Sequence, residues 1–552
     1  MALTLSQAVQ TLEAHHQLRE IIQGDRWSRD PSHFASANDP YNSITYDARN
    51  IVAGSLLFCK GRFRAEYLKD CDARGLKAYV SESDFSDATA ACGIIVNDVR
   101  KSMSLLSSQF YGDPQKELTL IGITGTKGKT TTAYFTQAVL NAASGGRAAL
   151  FSSVSNCLDG RTYTDSELTT PESMDAFRMM RSAVDNGMRY LVMEVSSQAY
   201  KVDRVYGLTF DIGAFLNISP DHISPIEHPT FEDYFHCKRQ LTANSRALVL
   251  GADCAHADLI EQDAKAAGIP VTTFALHDTL KDQGTPADTI AWPADADHTA
   301  FHIAMPRKDR QGSLSEPGNQ STESCASKDA RTSMPEANTG DPASADTYAL
   351  AMDGDFNYAN AAAALTIASL AGVDIRHNPK AAHRLDQVRI AGRMERFEDT
   401  HGSNVALIDF AHNYASVSAV IDYALERYGK QHPRLTLVTG TAGGKANDRR
   451  REIVEAAQHR VDTLILTTDD PDHDDPAEIC RDMASHVTDP KLDIRTILDR
   501  AQAVETAVSE ARRHDGFDVV LIIGKGEETW LKINGRHDPY EGDTHIVQRL
   551  FS

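Results

Sequence analysis

Residues Ile121–Phe135 read IGITGTKGKTTTAYF, and this stretch decides the fold. The apolar run LTLIGIT (118–124) has the length and β-branched content of a buried strand. A glycine-rich turn follows, then a helical pattern from about Lys129. Strand, glycine turn and helix in that order form a phosphate cradle, because backbone N–H groups converge where the helix dipole favours an anion. Gly125 and Gly128 allow close approach, and Thr126 and Thr131 belong to the same turn. Lys129 can reach the β- and γ-phosphates, Thr130 can offer its hydroxyl to magnesium, and Lys127 adds positive charge. The strict P-loop pattern would put glycine at 123, where the chain has Ile123. The competing explanation is a glycine turn with a chance Lys-Thr pair; the strand–loop–helix context favours the cradle.

Downstream, YLVMEVSS (190–197) and DIGAFLNIS (211–219) read as further strands with polar residues at their C-terminal ends. In parallel sheets ligands bind at those ends. Upstream, residues 1–112 alternate short apolar runs, such as GSLLFC (54–59) and LKAYVSE (76–82), with helical patterns. AEYLKDCDARG (65–75) reads as a helix ending at Gly75. From 306 to 345 the chain is rich in Ser, Gly, Pro, Asn and Asp and poor in large apolar residues, which predicts a disordered insertion within the second block. Helical sequence resumes at FNYANAAAALTIASLAG (356–372). A third block follows Arg389, with strands VALIDF, LTLVTG, TLILTTD and DVVLIIG separated by helical spans, a doubly wound pattern. The division is therefore 1–112, 113–388 and 389–552.

The 552 residues suit several domains, and 41% hydrophobic with 24% charged residues is a globular balance. A net charge of −21 argues against nucleic acid as a partner, although a local basic site can still hold a nucleotide. Eight scattered cysteines without C-x-x-C spacing suggest free thiols in a reducing compartment. No basic-then-apolar leader and no apolar run near ~18 residues is seen, so a cytoplasmic protein without a membrane partner is expected.

GITGTKGKTTT resembles the loop of the Mur ligase family, the ATP-dependent amino-acid ligases of peptidoglycan precursor synthesis, whose TGT-x-GK-T-T pattern lacks the first glycine too. The resemblance recurs along nearly the whole chain. LTTPES (168–173) is similar to the family's TTP segment, which implies that Thr169 and Thr170 meet the muramoyl-peptide substrate. MEVSSQAYKVDRV (193–205) puts Glu194 on a magnesium-ligand position and Ser196 and Arg204 on substrate positions. LNISPDHI (216–223) puts His222 on the second-magnesium position, and FEDYFHCKRQL (231–241) puts Lys238 where the family has a carbamylated lysine. FNYANAAAA implies that Asn357 approaches adenine; AGRMERF and DFAHN imply Arg393, Asp409 and His412 near the nucleotide. The fold implied is α/β with three domains: a small N-terminal uridine-binding domain, a central P-loop ATPase-like parallel-sheet domain and a C-terminal Rossmann-like domain.

The resemblance is to the branch that extends UDP-MurNAc-L-Ala-D-Glu with a third residue. Members adding diaminopimelate read its second carboxylate with the Arg of D-N-P-R. Here DDPD (469–472) puts Asp472 at that place, after Asp469 and Asp470, and Ala446 replaces a second family arginine. A carboxylate repels a carboxylate and attracts an ammonium, so L-lysine fits first and L-ornithine or another diamino acid second. GKGEE (524–528) resembles G-K-G-H-E, which puts Gly524 and Glu528 on the incoming amino acid. In the first block D-S-R appears as Asp47-Ala48-Arg49, without the serine that touches uridine.

The implied reaction moves the γ-phosphoryl of ATP to the D-Glu γ-carboxylate, aided by Lys129 and two magnesium ions on Thr130, Glu194, His222 and carbamylated Lys238. The amine of lysine then attacks the acyl phosphate; no nucleophilic Ser or Cys is required. A monomer is expected. The alternatives are a folylpolyglutamate-synthetase-like ligase, which the first block and the TTP and MEVSS segments oppose, and a P-loop protein that holds ATP without amide synthesis.

Overall fold

The computed structural model describes residues 3–221, 223–224, 227–277, 287–294, 300–305, 345–375, 377–400, 402–444 and 447–551. His222, Ala446 and all but the last residue of the expected insertion lie outside them. The chain packs as two compact units, Met1–Leu248 with Gln262–Pro270, and Val249–Glu261 with Val271–Ser552.

The first unit opens with α1 (Leu5–Ala14), started by a reciprocal capping box between Thr4 and Gln7. Six strands follow: β1 (Leu18–Gln23), β2 (Arg26–Ser28), β3 (Ser43–Thr45), β4 (Ser55–Phe58), β5 (Leu76–Ser81) and β6 (Cys92–Val96). Their order is β2-β1-β6-β5-β4-β3, parallel from β3 to β6 and antiparallel at β1 and β2. α2 (Val99–Phe110), capped by Asp98, buries Met103 and Leu106 against Phe58, Val80 and Ile94. The helix expected at 65–75 is only a single 3-10 turn, Ala65–Leu68, followed by turns. Asp70 adopts φ +62°, a left-handed conformation that no helix continues through.

The second sheet of this unit places the glycine-rich loop between β7 and α3. Its elements are β7 (Thr119–Thr124), α3 (Lys129–Ser144), β8 (Ala148–Phe151), β9 (Ser155–Cys157), β10 (Tyr163–Asp165), α4 (Ser173–Asp185), β11 (Tyr190–Glu194), α5 (Ser197–Lys201), β12 (Ile212–Phe215) and α6 (Phe231–Ala243). Strands run β10-β9-β8-β11-β7-β12; β8, β11, β7 and β12 are parallel and β9 and β10 antiparallel. β7 is central and almost wholly buried, as a continuous apolar run requires. The C-terminal ends of β7 and β11 therefore lie side by side, with Ile123 opposite Glu194.

β13 (Leu248–Gly251) and α7 (Ala257–Ala267) lie in the stretch where the chain passes between units. The second unit continues with β14 (Val271–Leu276), β15 (Thr289–Pro293), β16 (Ala300–Ala304) and β17 (Asp346–Ala349). The alanine-rich α8 (Phe356–Leu370) packs on β14 and β15; its small side chains allow burial along nearly its whole length. After α9 (Pro379–Ala382) come β18 (Glu395–Glu398), β19 (Asn404–Asp409), α10 (Tyr414–Tyr428), β20 (Arg434–Thr439), α11 (Asp448–Ala457), β21 (Thr463–Leu466), α12 (Pro476–Ser485), β22 (Asp493–Thr496), α13 (Arg500–Arg513), β23 (Asp518–Ile523), the hairpin β24 (Trp530–Ile533) and β25 (Arg536–Pro539), and α14 (Asp543–Phe551). The sheet order is β18-β19-β23-β20-β21-β22, parallel except for the edge strand β18. Alternate strand residues feed two cores. Leu407, Leu437, Leu464 and Leu521 pack with Ile421 and Ile453, while Ile408, Val438, Ile465 and Val520 pack with Val504 and Ile546. Helices on both faces make the block doubly wound.

Candidate active site

The glycine-rich loop expected to cradle phosphate is pinned by hydrogen bonds of its own chain. Thr126 N donates to Asn217 O at 3.1 Å and Lys127 N to Asn217 Oδ1 at 2.9 Å, while Asn217 Nδ2 donates to Lys127 O at 3.1 Å. Thr126 Oγ1 donates to Ser219 O at 3.1 Å. Asn217 thus fixes the curvature of the loop from the segment after β12. Gly128 ends the loop at φ +80°, and Lys129, Thr130 and Thr131 form the first turn of α3. Lys129 Nζ donates to Gly125 O at 2.9 Å and Thr126 O at 3.2 Å.

Lys238, on α6, reaches the same carbonyl: its Nζ donates to Gly125 O at 2.9 Å. It is 2% exposed. Burial, and then the Lys129 charge, push its pKa well below the ordinary lysine value, against the opposing pull of Asp221, Cys237 and Glu194. Glu194, 1% exposed at the end of β11, accepts from Ser153 N at 2.8 Å and from Ser153 Oγ at 3.3 Å. Thr130 Oγ1 lies 3.0 Å from Ser153 Oγ. Ser153 therefore joins the hydroxyl of Thr130 to the carboxylate of Glu194. Asp221 is buried and 3.8 Å from Lys127 Nζ. The expected partner His222 lies outside the described residues.

Beside this centre, Thr170 Oγ1 donates to Glu194 O at 2.9 Å and contacts Ser196 Oγ at 3.4 Å. Ser196 caps α5 by accepting from Ala199 N. Thr169 is half-buried next to Thr170. Arg204 Nε donates to Glu172 Oε1 at 3.0 Å. Asp47 and Ala48 lie in the first sheet's block, where Asp47 accepts from Arg49 N at 2.9 Å and pairs with its guanidinium at 2.7 Å.

In the second unit, Asp409, Asp469 and Gly524 lie at or just beyond the C-terminal ends of β19, β21 and β23 of one sheet, whereas Arg393 precedes β18 and Asn357 lies on α8. Asp409 ends β19 and its Oδ2 accepts from Met394 N at 2.9 Å. Arg393 lies over the Phe410 ring at 4.5 Å and 3.8 Å from Glu527 Oε2. A Cβ on Gly392, at φ +64°, would fall 2.1 Å from Glu527 N, so the loop around 392 crosses the GKGEE turn with no room for a side chain. Asn357, fully buried, donates to Asp353 O at 2.6 Å and accepts from Asn360 at 3.0 Å.

Asp469, Asp470 and Asp472 diverge in role. Asp469 is buried and its pKa is raised by that burial, with Arg500 and Lys525 opposing. Asp470 accepts from Lys525 Nζ at 2.8 Å, and Lys525 also pairs with Glu528 and lies 4.1 Å above the Trp530 ring. Asp472, at φ +52°, pairs with Lys532 Nζ at 2.9 Å and accepts from Gly535 N at 2.7 Å. Burial pushes the Glu528 carboxyl up to about 7, although Lys525 pulls it down. A cavity of about 680 Å³ opens between the turn around Asp472, the residues around Arg500 and the β24–β25 hairpin.

Residues 123–368 match the Mur ligase middle domain, and residues 392–526 match the Mur ligase glutamate ligase domain. The chain belongs to the Mur ligase family. It is 57% identical over 552 residues to a UDP-N-acetylmuramyl-tripeptide synthetase of Bifidobacterium longum (strain NCC 2705), with 100% of each chain covered. It is 37% identical over 555 residues to a UDP-N-acetylmuramoyl-L-alanyl-D-glutamate--L-lysine ligase of Enterococcus faecalis (strain ATCC 700802 / V583), covering 100% of this chain and 99% of the other. A solved UDP-N-acetylmuramoyl-L-alanyl-D-glutamate--2,6-diaminopimelate ligase shares the fold, with a TM-score of 0.60 at 20% identity over 100% of this chain and 99% of that one. A folylpolyglutamate synthase of Thermotoga maritima reaches 0.51 at 16% identity over 77% of this chain and 90% of that one.

In this Mur ligase Lys129, Thr130, Glu194 and Lys238 come together within the first unit, as do Thr170 and Ser196. Sequence reasoning missed Ser153, Asn217 and Asp221 as supporting residues. The stretch LNISPDHI contains two of them, whereas Ser153 stands in an undistinguished turn between β8 and β9. Among the described residues no helix is long and apolar enough to cross a membrane.

Proposed function

We propose that this Mur ligase joins L-lysine to UDP-N-acetylmuramoyl-L-alanyl-D-glutamate, cleaving ATP to ADP and phosphate through an acyl phosphate. One observation carries the reading: Gly125 O receives both Lys129 and the buried Lys238, beside Thr130 and Glu194. Lys129 would follow the γ-phosphoryl as it passes to the substrate carboxylate, offsetting its charge. The lysine amine then forms the C–N bond as the C–O bond to phosphate breaks, and the amine proton leaves to solvent or base.

Magnesium, when bound, supplies charge neutralisation across the phosphate oxygens. The donors fit it: the Thr130 hydroxyl and Glu194 carboxylate, joined through Ser153, are hard oxygen ligands. A lysine amine held neutral can attack carbon dioxide and lose a proton, giving a carbamate that adds an oxygen donor; an ammonium offers none. Lys238 has the required depressed pKa. We assign two ions, with His222 as a further ligand.

The lysine preference rests on charge. Asp470 and Asp472 each already accept a lysine ammonium of the chain, Lys525 and Lys532, which is the chemistry that would read a substrate ammonium. Relatives named for L-lysine at 37% identity over the full length support it over the folylpolyglutamate reading. Residues 1–112 would hold the uridine nucleotide, 113–388 ATP and 389–552 the amino acid. A monomeric enzyme of the cytoplasm, acting in peptidoglycan synthesis for cell growth and division, completes the proposal. The test is phosphate release with L-lysine, L-ornithine and diaminopimelate side by side, each with the nucleotide-dipeptide and ATP. Lysine-dependent release exceeding both others supports the assignment; a preference for diaminopimelate overturns it.

A further inference from the structure

Glu172 stands at the N-cap of α4, yet its side chain makes no capping hydrogen bond. It turns instead to cations. Lys60 Nζ donates to Oε2 at 2.6 Å, Arg204 Nε and Nη2 each approach Oε1 at 3.0 Å, and Arg100 Nη1 lies 3.9 Å from Oε2. The three cations come from separate places: just beyond β4, the first turn of α2, and the segment after α5. Their side chains are 18%, 31% and 16% exposed and that of Glu172 is 12% exposed, so all four are partly withdrawn from water yet still reachable.

Three positive charges on one carboxylate leave a surplus of two. Other acids nearby are engaged: Asp98 caps α2 and pairs with Lys101 at 3.7 Å, and Asp175 accepts from Tyr46 Oη at 2.6 Å and pairs with Arg178 at 3.1 Å. Asp203 interacts electrostatically with both Lys101 and Arg100. The arrangement is also held in place, because Lys60 lies 4.1 Å above the ring of Tyr46. Withdrawing like charges from water costs stability unless each finds a partner. Such a surplus suits a further anion, and two guanidinium forks suit one with paired oxygens. Glu172 is two residues from Thr170, whose hydroxyl meets Ser196.

We propose that Lys60, Arg100 and Arg204 form an oxyanion subsite for the nucleotide-linked substrate, with Glu172 as the positioning carboxylate that holds Lys60 and Arg204 in place. The inference rests on the substrate reading above and adds Lys60, Arg100 and Glu172 to it. The anion is the diphosphate or a carboxylate of the D-glutamyl end, both present on that substrate.

The test uses the full chain with Lys60→Met and Arg100→Met, thermal melting as the fold control, and Lys60→Arg as the charge-keeping variant. Each Met variant should raise KM for the nucleotide-dipeptide about tenfold or more, the range of a lost charge-assisted contact, leave KM for ATP unmoved, and be rescued at residue 60 by Arg. Direct binding of UDP, uridine, UDP-MurNAc-L-Ala and UDP-MurNAc-L-Ala-D-Glu, without ATP or lysine, identifies the anion. Loss of the UDP-over-uridine advantage in Lys60→Met assigns the diphosphate. Loss of the advantage conferred by D-Glu assigns the carboxylate. Folded Met variants with unchanged KM and unchanged affinities overturn the subsite. If Lys60→Met fails to fold, the more exposed Arg100→Met decides by the same measures. Failure of the wild type to bind any of these nucleotides counts instead against the assigned substrate.

Discussion

Lys238 shows what burial does to a single residue. An amine at 2% exposure, with Lys129 sharing its acceptor, is driven toward the neutral form. A base whose folded pKa lies below its unfolded value weakens the fold at pH values below that unfolded value, most fully below the folded pKa. Lys238→Met should therefore abolish ligation while melting no lower than wild type near pH 7, as differential scanning calorimetry would record. Added bicarbonate should not restore activity, because the variant has no amine to carbamylate. Full activity in Lys238→Met would remove the lysine from the mechanism. Glu528 carries the opposite shift. Its carboxyl is raised to about 7 by burial, so it is mostly protonated at pH 6 and mostly ionised at pH 8. If its carboxylate holds the incoming amine, KM for the amino acid should fall as pH rises through that window. Glu528→Gln should flatten the profile. Residues such as Lys238 could be singled out from sequence because they stand in long motifs. Ser153 and Asn217 could not, since their contacts arise only when the ends of β8, β11, β7 and β12 are brought side by side.

Among the elements, strands buried on both faces announced themselves as continuous apolar runs, and β7, β11, β19, β20, β21 and β23 were all readable. The edge strand β18, the short β22 with its sequence DIRT and the hairpin β24–β25 were not, because exposure on one side leaves no such run. The misread helix at 65–75 had the right apolar spacing, but Asp70 in the left-handed region ends regular structure there. The turn after β23 depends on Gly524, at φ +109°, where a Cβ would lie 2.4 Å from Asp469 Oδ2. Gly524→Ala should cost about 1–3 kcal/mol in urea unfolding, the range for a strained backbone position, and raise KM for the amino acid. An unchanged midpoint and KM would show that the turn tolerates a side chain.

At the scale of the molecule, the sequence conveyed three α/β blocks and their order because each repeats strand and helix at regular spacing. It could not convey long-range pairings. Arg500 and Asp543, both fully buried, make a two-pronged ion pair across the C-terminal block that no local pattern announces. The same holds for the cations around Glu172, drawn from positions 60, 100 and 204. The central claim is that this assembly transfers a phosphoryl group to a carboxylate and then lets an amine displace it. Supplying nucleotide-dipeptide labelled with ¹⁸O in the D-Glu γ-carboxylate, together with ATP, magnesium and L-lysine, tests it directly. The account predicts that each inorganic phosphate released carries one ¹⁸O from that carboxylate, alongside a lysine-bearing tripeptide nucleotide. Tripeptide formed with wholly unlabelled phosphate would contradict it.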